Sequence, residues 1–257
     1  MITTYPPIPP STSTTSTAPW QTQVSRGLVP GATAYNIFAF NAAVGTTINT
    51  LWDATPTAYA FPTSASVMTF ASTSASDNTS AKVLVTGLDS TFTLTTETVT
   101  LNGVTGVNTA TSFLRINTLA LVAPGTGQVT NIGTITAKVG AIIYAQMNPS
   151  TARTQNGFFT VPLGYSLYLY DINGFSGDGA ATNKYISFQS RATDNGLAVP
   201  VTRTLTQTTF INNYQITRAV PLRYTEKTDV QWQVSASAGT QQVCIIGVAI
   251  LISNTAS

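Results

Sequence analysis

"KVLVTGLDSTFTLTTETVTLNGVTGVNTATSFLRIN", residues 82–117, decides the fold. In an extended chain Val83, Val85 and Gly87 fall on one side, and Leu84, Thr86 and Leu88 on the other. Leu-Asp-Ser-Thr (88–91) then reads as a turn, because Asp89 and Ser90 can bond their own backbone. After it, Phe92, Leu94 and Thr96 alternate against Thr93, Thr95 and Glu97. A period of two is what half-buried antiparallel strands require. Residues 83–87 and 93–100 are therefore predicted to pair antiparallel across the turn. Asn102-Gly103 ends the second strand and is the strongest short hairpin signal in the chain.

The pattern continues toward the C-terminus. Short apolar or alternating runs occupy 112–122, 131–139, 141–147, 156–162, 165–172, 184–190, 200–206, 210–217, 229–237 and 242–251, with Gly, Pro and Asn between them. Strands at such spacing predict an all-β fold, an antiparallel β-sandwich, jelly-roll-like or closed as a barrel. No segment repeats apolar residues at helical spacing, so helix should be minor. The last run, "VCIIGVAIL" (243–251), is apolar on both faces, which predicts a strand covered on both sides.

Toward the N-terminus the pattern fails. Residues 1–19 are rich in Pro, then in Ser and Thr, with no apolar face to bury. They read as an extended N-terminal arm, either free or laid on a neighbouring subunit through Tyr5, Ile8 and Trp20. Residues 20–62 carry Trp20, Tyr35, Phe38, Phe40, Trp52, Tyr59 and Phe61 with little periodicity, and read as a segment wrapped on a surface by its aromatic rings. The expected division is 1–62 for arm and wrapped segment and 63–257 for the β body, as one sandwich or as two β subdomains dividing near 150–175.

Only 8% of residues are charged, against 43% hydrophobic, and the formal net charge is +2. The lysines and arginines form no basic run, so no nucleic-acid footprint is expected. The single cysteine, Cys244, excludes a disulfide framework and reads as a buried apolar thiol. No basic stretch precedes an apolar core at the N-terminus, and the longest apolar run (243–252) falls short of a membrane span, so a chain made and assembled in a cytoplasm is expected.

Histidine is absent, which removes Ser-His-Asp and Cys-His nucleophile schemes and His-ligated zinc. The remaining carboxylates are Asp53, Asp77, Asp89, Glu97, Asp171, Asp178, Asp194, Glu226 and Asp229. Asp77, Asp89 and Asp194 stand in turn-like contexts and Glu97 on a Thr-rich face, all suited to structural roles. "DINGFSGDGAATN" (171–183) gathers Asp171, Asn173 and Asp178 but lacks the spacing of a calcium loop, so it reads as a polar loop between strands. Phe158, Phe159, Tyr165, Tyr168, Tyr170, Tyr185 and Phe188 could form a sugar platform, with core packing as the plainer role. The expectation is a non-enzyme with no catalytic, cofactor or metal site.

"VSRGLVPGA" (24–32), "LWD" (51–53), the hairpin at 82–117 and "NIGTITAK" (131–138) together resemble a group of virion structural proteins of tailed bacteriophages, particularly phages of aquatic bacteria and cyanobacteria. The resemblance spans about residues 24–172 and rests on structural motifs. It implies a setting in the virus particle, assembled in the host cytoplasm. It implies partners such as the major capsid protein or other virion subunits, and a homo-oligomer, with a trimer favoured. The reading that follows is a capsid decoration or cement protein. A tail, baseplate or fibre component, with or without a carbohydrate-binding face, is the alternative.

Overall fold

The computed structural model describes residues 18–54, 57–177 and 184–255. A short helix, α1 (Trp20–Ser25), leads into β1 (Ala32–Val44) and β2 (Asn49–Thr50). A block of antiparallel strands follows: β3 (Ser66–Ser72), β4 (Lys82–Leu88), β5 (Leu94–Thr100), β6 (Val107–Phe113), β7 (Arg115–Ala123), β8 (Ile135–Val139) and β9 (Ile142–Met147). The chain then returns as β10 (Phe158–Thr160), β11 (Tyr165–Gly177), β12 (Ile186–Asp194), β13 (Val201–Phe210), β14 (Asn213–Tyr224), β15 (Thr228–Ala236) and β16 (Gln241–Ser253).

The strands make two sandwiches, one inserted in the other. In the main sandwich a sheet ordered β1-β16-β11-β14 faces one ordered β10-β15-β12-β13, with β2 added on β15. Both sheets contribute to one core: Leu167, Leu169, Ile172, Val243 and Ile245 from the first meet Phe188, Val230, Trp232 and Val234 from the second. The inserted sandwich pairs sheets ordered β6-β3-β8-β9 and β5-β4-β7 around Met68, Phe70, Val83, Val85, Phe113 and Leu119. The all-β antiparallel class read from the sequence is the fold of the chain.

The alternation that signalled the strands also sorts their faces. Along β15, Val230, Trp232, Val234 and Ala236 are buried while Gln231, Gln233 and Ser235 are half-buried on the other side. Across the core, Gly247 of β16 lies against the Trp232 ring, where a Cβ would collide with the indole. Around the hairpin of residues 82–100, β4 pairs β5 from Lys82↔Thr100 to Leu88↔Leu94, as the sequence predicts. Asp89 Oδ1 closes the turn by accepting the Thr91 and Thr93 N–H groups at 2.8 and 3.0 Å.

Several expectations need correction. Residues 32–44 do not wrap the surface; they form β1 and pair with β16 from Ala32↔Ile252 onward. Both faces of β1 carry apolar residues, small Ala39 and Ile37 inward and Phe38 and Phe40 outward, so the period of two is masked. Asn102-Gly103 makes a tight turn with Gly103 at φ 58°, but β5 and β6 belong to different sheets, so the turn is a corner between sheets. The run 112–122 is split at Leu114 between β6 and β7. Residues 211–212, inside the run 210–217, are the bend between β13 and β14, with Asn212 at φ 65°. Asp171 and Asn173 lie in β11, not in a loop, and Asp178 falls outside the described residues.

The last strand is central, between β1 and β11. Its inner face (Val243, Ile245, Ala249) is buried, but Val248 on the outer face is 40% exposed. Cys244 is half-buried on that outer face beside Phe40 and Phe175 of the neighbouring strands, not in the core. α1 covers one end of this face by packing Val24 on Ala32 and Ile250.

Candidate functional site

The residues that carry organised charge meet where the two sandwiches touch. Arg115 opens β7 in the "FLRIN" motif, opposite Leu88 at the end of β4. Gly87 beside it has no room for a Cβ against the Arg115 carbonyl and the Phe113 ring, so glycine lets β4 and β7 close here. From this position the Arg115 side chain reaches Asp229, which lies in β15 of the main sandwich. Nε and Nη2 donate to the two carboxylate oxygens at 2.9 Å each, and both side chains are about 95% buried, at 6% and 4% exposure.

The pair is closed on itself. Arg115 Nη1 donates to the carbonyls of Pro62 and Leu114 at 2.5 and 3.0 Å. Asp229 also accepts the Thr160 hydroxyl at 2.5 Å and the Asn195 amide at 2.8 Å. Phe61 and Phe92 stack on the guanidinium with ring centres at 5.0 and 5.4 Å. Phe92 comes from the tip of the hairpin and holds φ 66°, a conformation costly for a bulky residue. Its carbonyl accepts the Leu163 N–H of the main sandwich at 2.8 Å. The tip of the bare hairpin is thus a clasp. Two residues on, Asn117 fastens the same edge: its amide exchanges two 2.9 Å bonds with the backbone of Thr160.

A cleft of about 690 Å³ opens beside the pair, lined by Phe61, Ser64, Ser90, Phe92, Thr193 and Asn195 among others. It is the natural place to look for chemistry. Yet the Asp229 oxygens that border it accept four bonds from protein donors, Arg115 spends four of its N–H groups on protein acceptors, and no second carboxylate lines it. A nucleophile or general base needs a free lone pair within reach of a substrate; Asp229 offers none.

The linkers between the sandwiches are held by a second knot. Asp53 accepts the Gln155 N–H at 2.6 Å, and its carbonyl accepts the Gln146 and Asn148 amides at 3.1 and 3.2 Å. Burial pushes the Asp53 carboxyl up to about 7, opposed by the bond from Gln155. Its Oδ1 has no hydrogen-bond partner among the described residues. Such a pKa suits a general acid, but Asp53 is 4% exposed and lines neither the cleft nor the other large groove. Trp52, Tyr59, Phe61 and Phe158 pack beside it, with Tyr59 stacked on Phe158 at 3.8 Å. This is the aromatic anchoring expected of residues 20–62, confined to the outgoing linker.

The other carboxylates are also spent on the backbone. Asp77, fully buried, accepts the N–H groups of Ile132 and Gly133 at 2.9 Å each. Glu97 braces β6 through the Ala110 and Thr111 N–H groups at 2.8 Å each. Asp194 accepts Gly196 N–H at 2.9 Å, and Glu226 accepts Gly164 N–H at 2.8 Å. Among the described residues Asp171 alone has no such bond.

Of the anticipated arm contacts, Trp20 opens α1 and is 39% exposed, while Tyr5 and Ile8 lie outside the described residues. The aromatic platform is not assembled: Phe158, Phe159 and Phe188 are core residues, and Tyr165, Tyr168 and Tyr170 are half-buried along β11. The Arg115–Asp229 pair was not anticipated. Its one signal was an arginine inside an apolar strand motif, since a charge in that position needs a partner.

No family model matches the chain, and no curated protein does. One solved structure aligned to it is "Structure of infectious bursal disease virus Gt strain", at 11% identity over 92% of this chain and 78% of that chain. Its TM-score of 0.20 is too low for the match to carry any argument about fold or function.

Proposed function

We propose that this chain is a structural component of a bacteriophage particle, a capsid decoration or cement protein that acts by packing. The observation that carries the reading is where the charge goes. The described carboxylates, Asp171 apart, are bound to the protein's own backbone or to Arg115, and serve to fix loops, linkers and strands. What remains outward is hydroxyl, amide and apolar surface with a few scattered cations such as Lys82 and Arg203, and it includes Phe175, Val199 and Val220 at 48%, 74% and 82% exposure. Low charge of this kind suits the buried centre of an interface. The resemblance of residues 24–172 to phage virion proteins supplies the setting, with capsid subunits and further copies of this chain as partners.

The test is quantitative mass spectrometry of gradient-purified particles. A decoration protein should co-purify in hundreds of copies relative to a major capsid subunit. A few copies or a few dozen would favour a tail, baseplate or fibre component, and absence from the particle would refute the proposal. Light scattering of the isolated protein should give the mass of a closed oligomer, a trimer in the favoured case.

A further inference from the structure

The exception among the carboxylates marks a second site. β11 pairs with β14 and β16; against β14 the partner jumps from Leu222 to Thr217, so β14 itself bulges over residues 218–221, while against β16 the register skips one β11 residue between Leu169 and Asp171. Tyr170 is the extra residue of this β-bulge. Before it, Leu167 and Leu169 point into the core; after it, Ile172 does. The skip turns two successive side chains, Tyr170 and Asp171, toward the outer face, which is what a bulge does where a strand must re-aim a residue.

Both then border a groove of about 640 Å³ between that face and α1. Ala34, Val248 and Ile250 give it an apolar floor, and Gln21, Asn36 and Thr217 give it polar walls. Some hydroxyls and amides of the sheets satisfy one another, as in Gln189 with Gln233 at 2.6 Å and Thr193 with Thr202 at 2.8 Å. Around the groove Ser25 donates to the Thr22 carbonyl and Arg218 to the Thr206 hydroxyl, but the others do not. Among the described residues, Gln21, Asn36, Tyr170, Asp171 and Thr217 make no side-chain hydrogen bond, and Asp171 Oδ1 is buried without a partner. An unmatched buried acceptor is costly unless something else fills it. An apolar floor with a few converging polar groups is the usual form of a small-molecule site.

We infer that the groove under α1 binds a neutral carbohydrate, with Asp171 accepting from sugar hydroxyls, Asn36, Gln21 and Thr217 completing the polar contacts, and Tyr170 with the aliphatic floor meeting the C–H face. The donor set decides the class. One carboxylate and one guanidinium, Asp171 Oδ1 and Arg218 Nη1 both buried without a partner, among amides and hydroxyls leave no net charge, which suits a ligand with many hydroxyls and no charge. Arg218, which also lines the groove, opposes a cationic one. The volume suits one or two pyranose rings. The inference does not depend on where in a particle the chain sits.

The experiment is calorimetric titration of the full chain with neutral hexosides, N-acetylhexosamine glycosides and their disaccharides, with ethanolamine as an ammonium-bearing control. At least one neutral probe should bind. Asp171→Ala should weaken it by about tenfold or more, as loss of a charge-assisted hydrogen bond does. Thr217→Val, a change on an exposed strand residue that leaves the core untouched, should weaken it less. Thermal melts check that both variants fold. Failure of every neutral probe, equal binding by wild type and both folded variants, or binding of ethanolamine in place of sugars would each overturn the assignment.

Discussion

Asp229→Asn tests the junction most sharply. The side chain keeps its shape but loses its charge and one acceptor oxygen. In the wild type the two oxygens take four bonds: Arg115 Nε and Thr160 on one, Arg115 Nη2 and Asn195 on the other. An asparagine must point its NH₂ at one of these donor pairs, either Arg115 Nε with Thr160 or Arg115 Nη2 with Asn195. The arginine, at 6% exposure, cannot turn to water. Breaking a buried pair in this way costs roughly 3–5 kcal/mol, because a charge is left uncompensated. The pair joins two separate cores, so the loss should fall on their coupling. Urea unfolding followed by tryptophan fluorescence reports mainly on the main sandwich through Trp232 and on the linker through Trp52, while circular dichroism reports on both sandwiches. The wild type should give coincident transitions and the variant separated ones, the first shifted to lower urea. Replacing both partners, Arg115→Met with Asp229→Leu, should recover much of the loss, since an apolar pair leaves no orphaned charge. A cost below about 1 kcal/mol for Asp229→Asn, the range of an exposed pair, with transitions still coincident, would refute the reasoning.

Three further outcomes are expected. Asp53 has its pKa raised from 3.8 to about 7 on folding, so the folded state holds the proton more tightly between these values. Its contribution should favour the folded state most below pH 4, decline by up to about 4 kcal/mol as pH rises to 7, and stay flat above; Asp53→Asn should flatten this slope in urea titrations at pH 5 and 8. On β16, Ile245→Asp puts a carboxylate into the core and should cost at least roughly 3–5 kcal/mol. Ile246→Asp faces the half-covered outer side, and should fold in isolation but fail to assemble if that side is an interface, by thermal melt and particle binding. Deleting residues 2–19 should leave a folded body that no longer binds particles in co-sedimentation; unchanged binding would show the arm to be incidental.

The fold was legible where one face of a strand is buried and the other is wet. β4 and β15 alternate, so their faces follow from the letters, and the turn between β4 and β5 gives that one pairing; β5 departs, with Leu94 exposed and Thr95, Glu97 and Val99 on the more buried side. β1 was not legible, because Phe38 and Phe40 sit on its outer face while Tyr35, Ile37 and Ala39 face the core, so both faces carry large apolar groups. Asn102-Gly103 carries the chemistry of a hairpin turn, but nothing local states that the next strand joins another sheet. The junction was the least visible feature. Arg115 and Asp229 are 114 residues apart, and only the three-dimensional return of β15 past β7 brings them together. The groove was partly visible: Asp171 and Tyr170 stood out in the sequence, but the bulge that turns both to one side has no local signature in "YLYDING".

The most direct test of the structural role is a cryo-electron microscopy reconstruction of purified particles with this chain placed in the density. Repeated copies are expected on the outer shell, with the two sandwiches locked as one body and apolar surface, including the outer face around Phe175 and Val248, covered by capsid subunits or by neighbouring copies. Particles in which no density fits the chain, or copies whose outer faces and N-terminal segments all stand free in solvent, would contradict it.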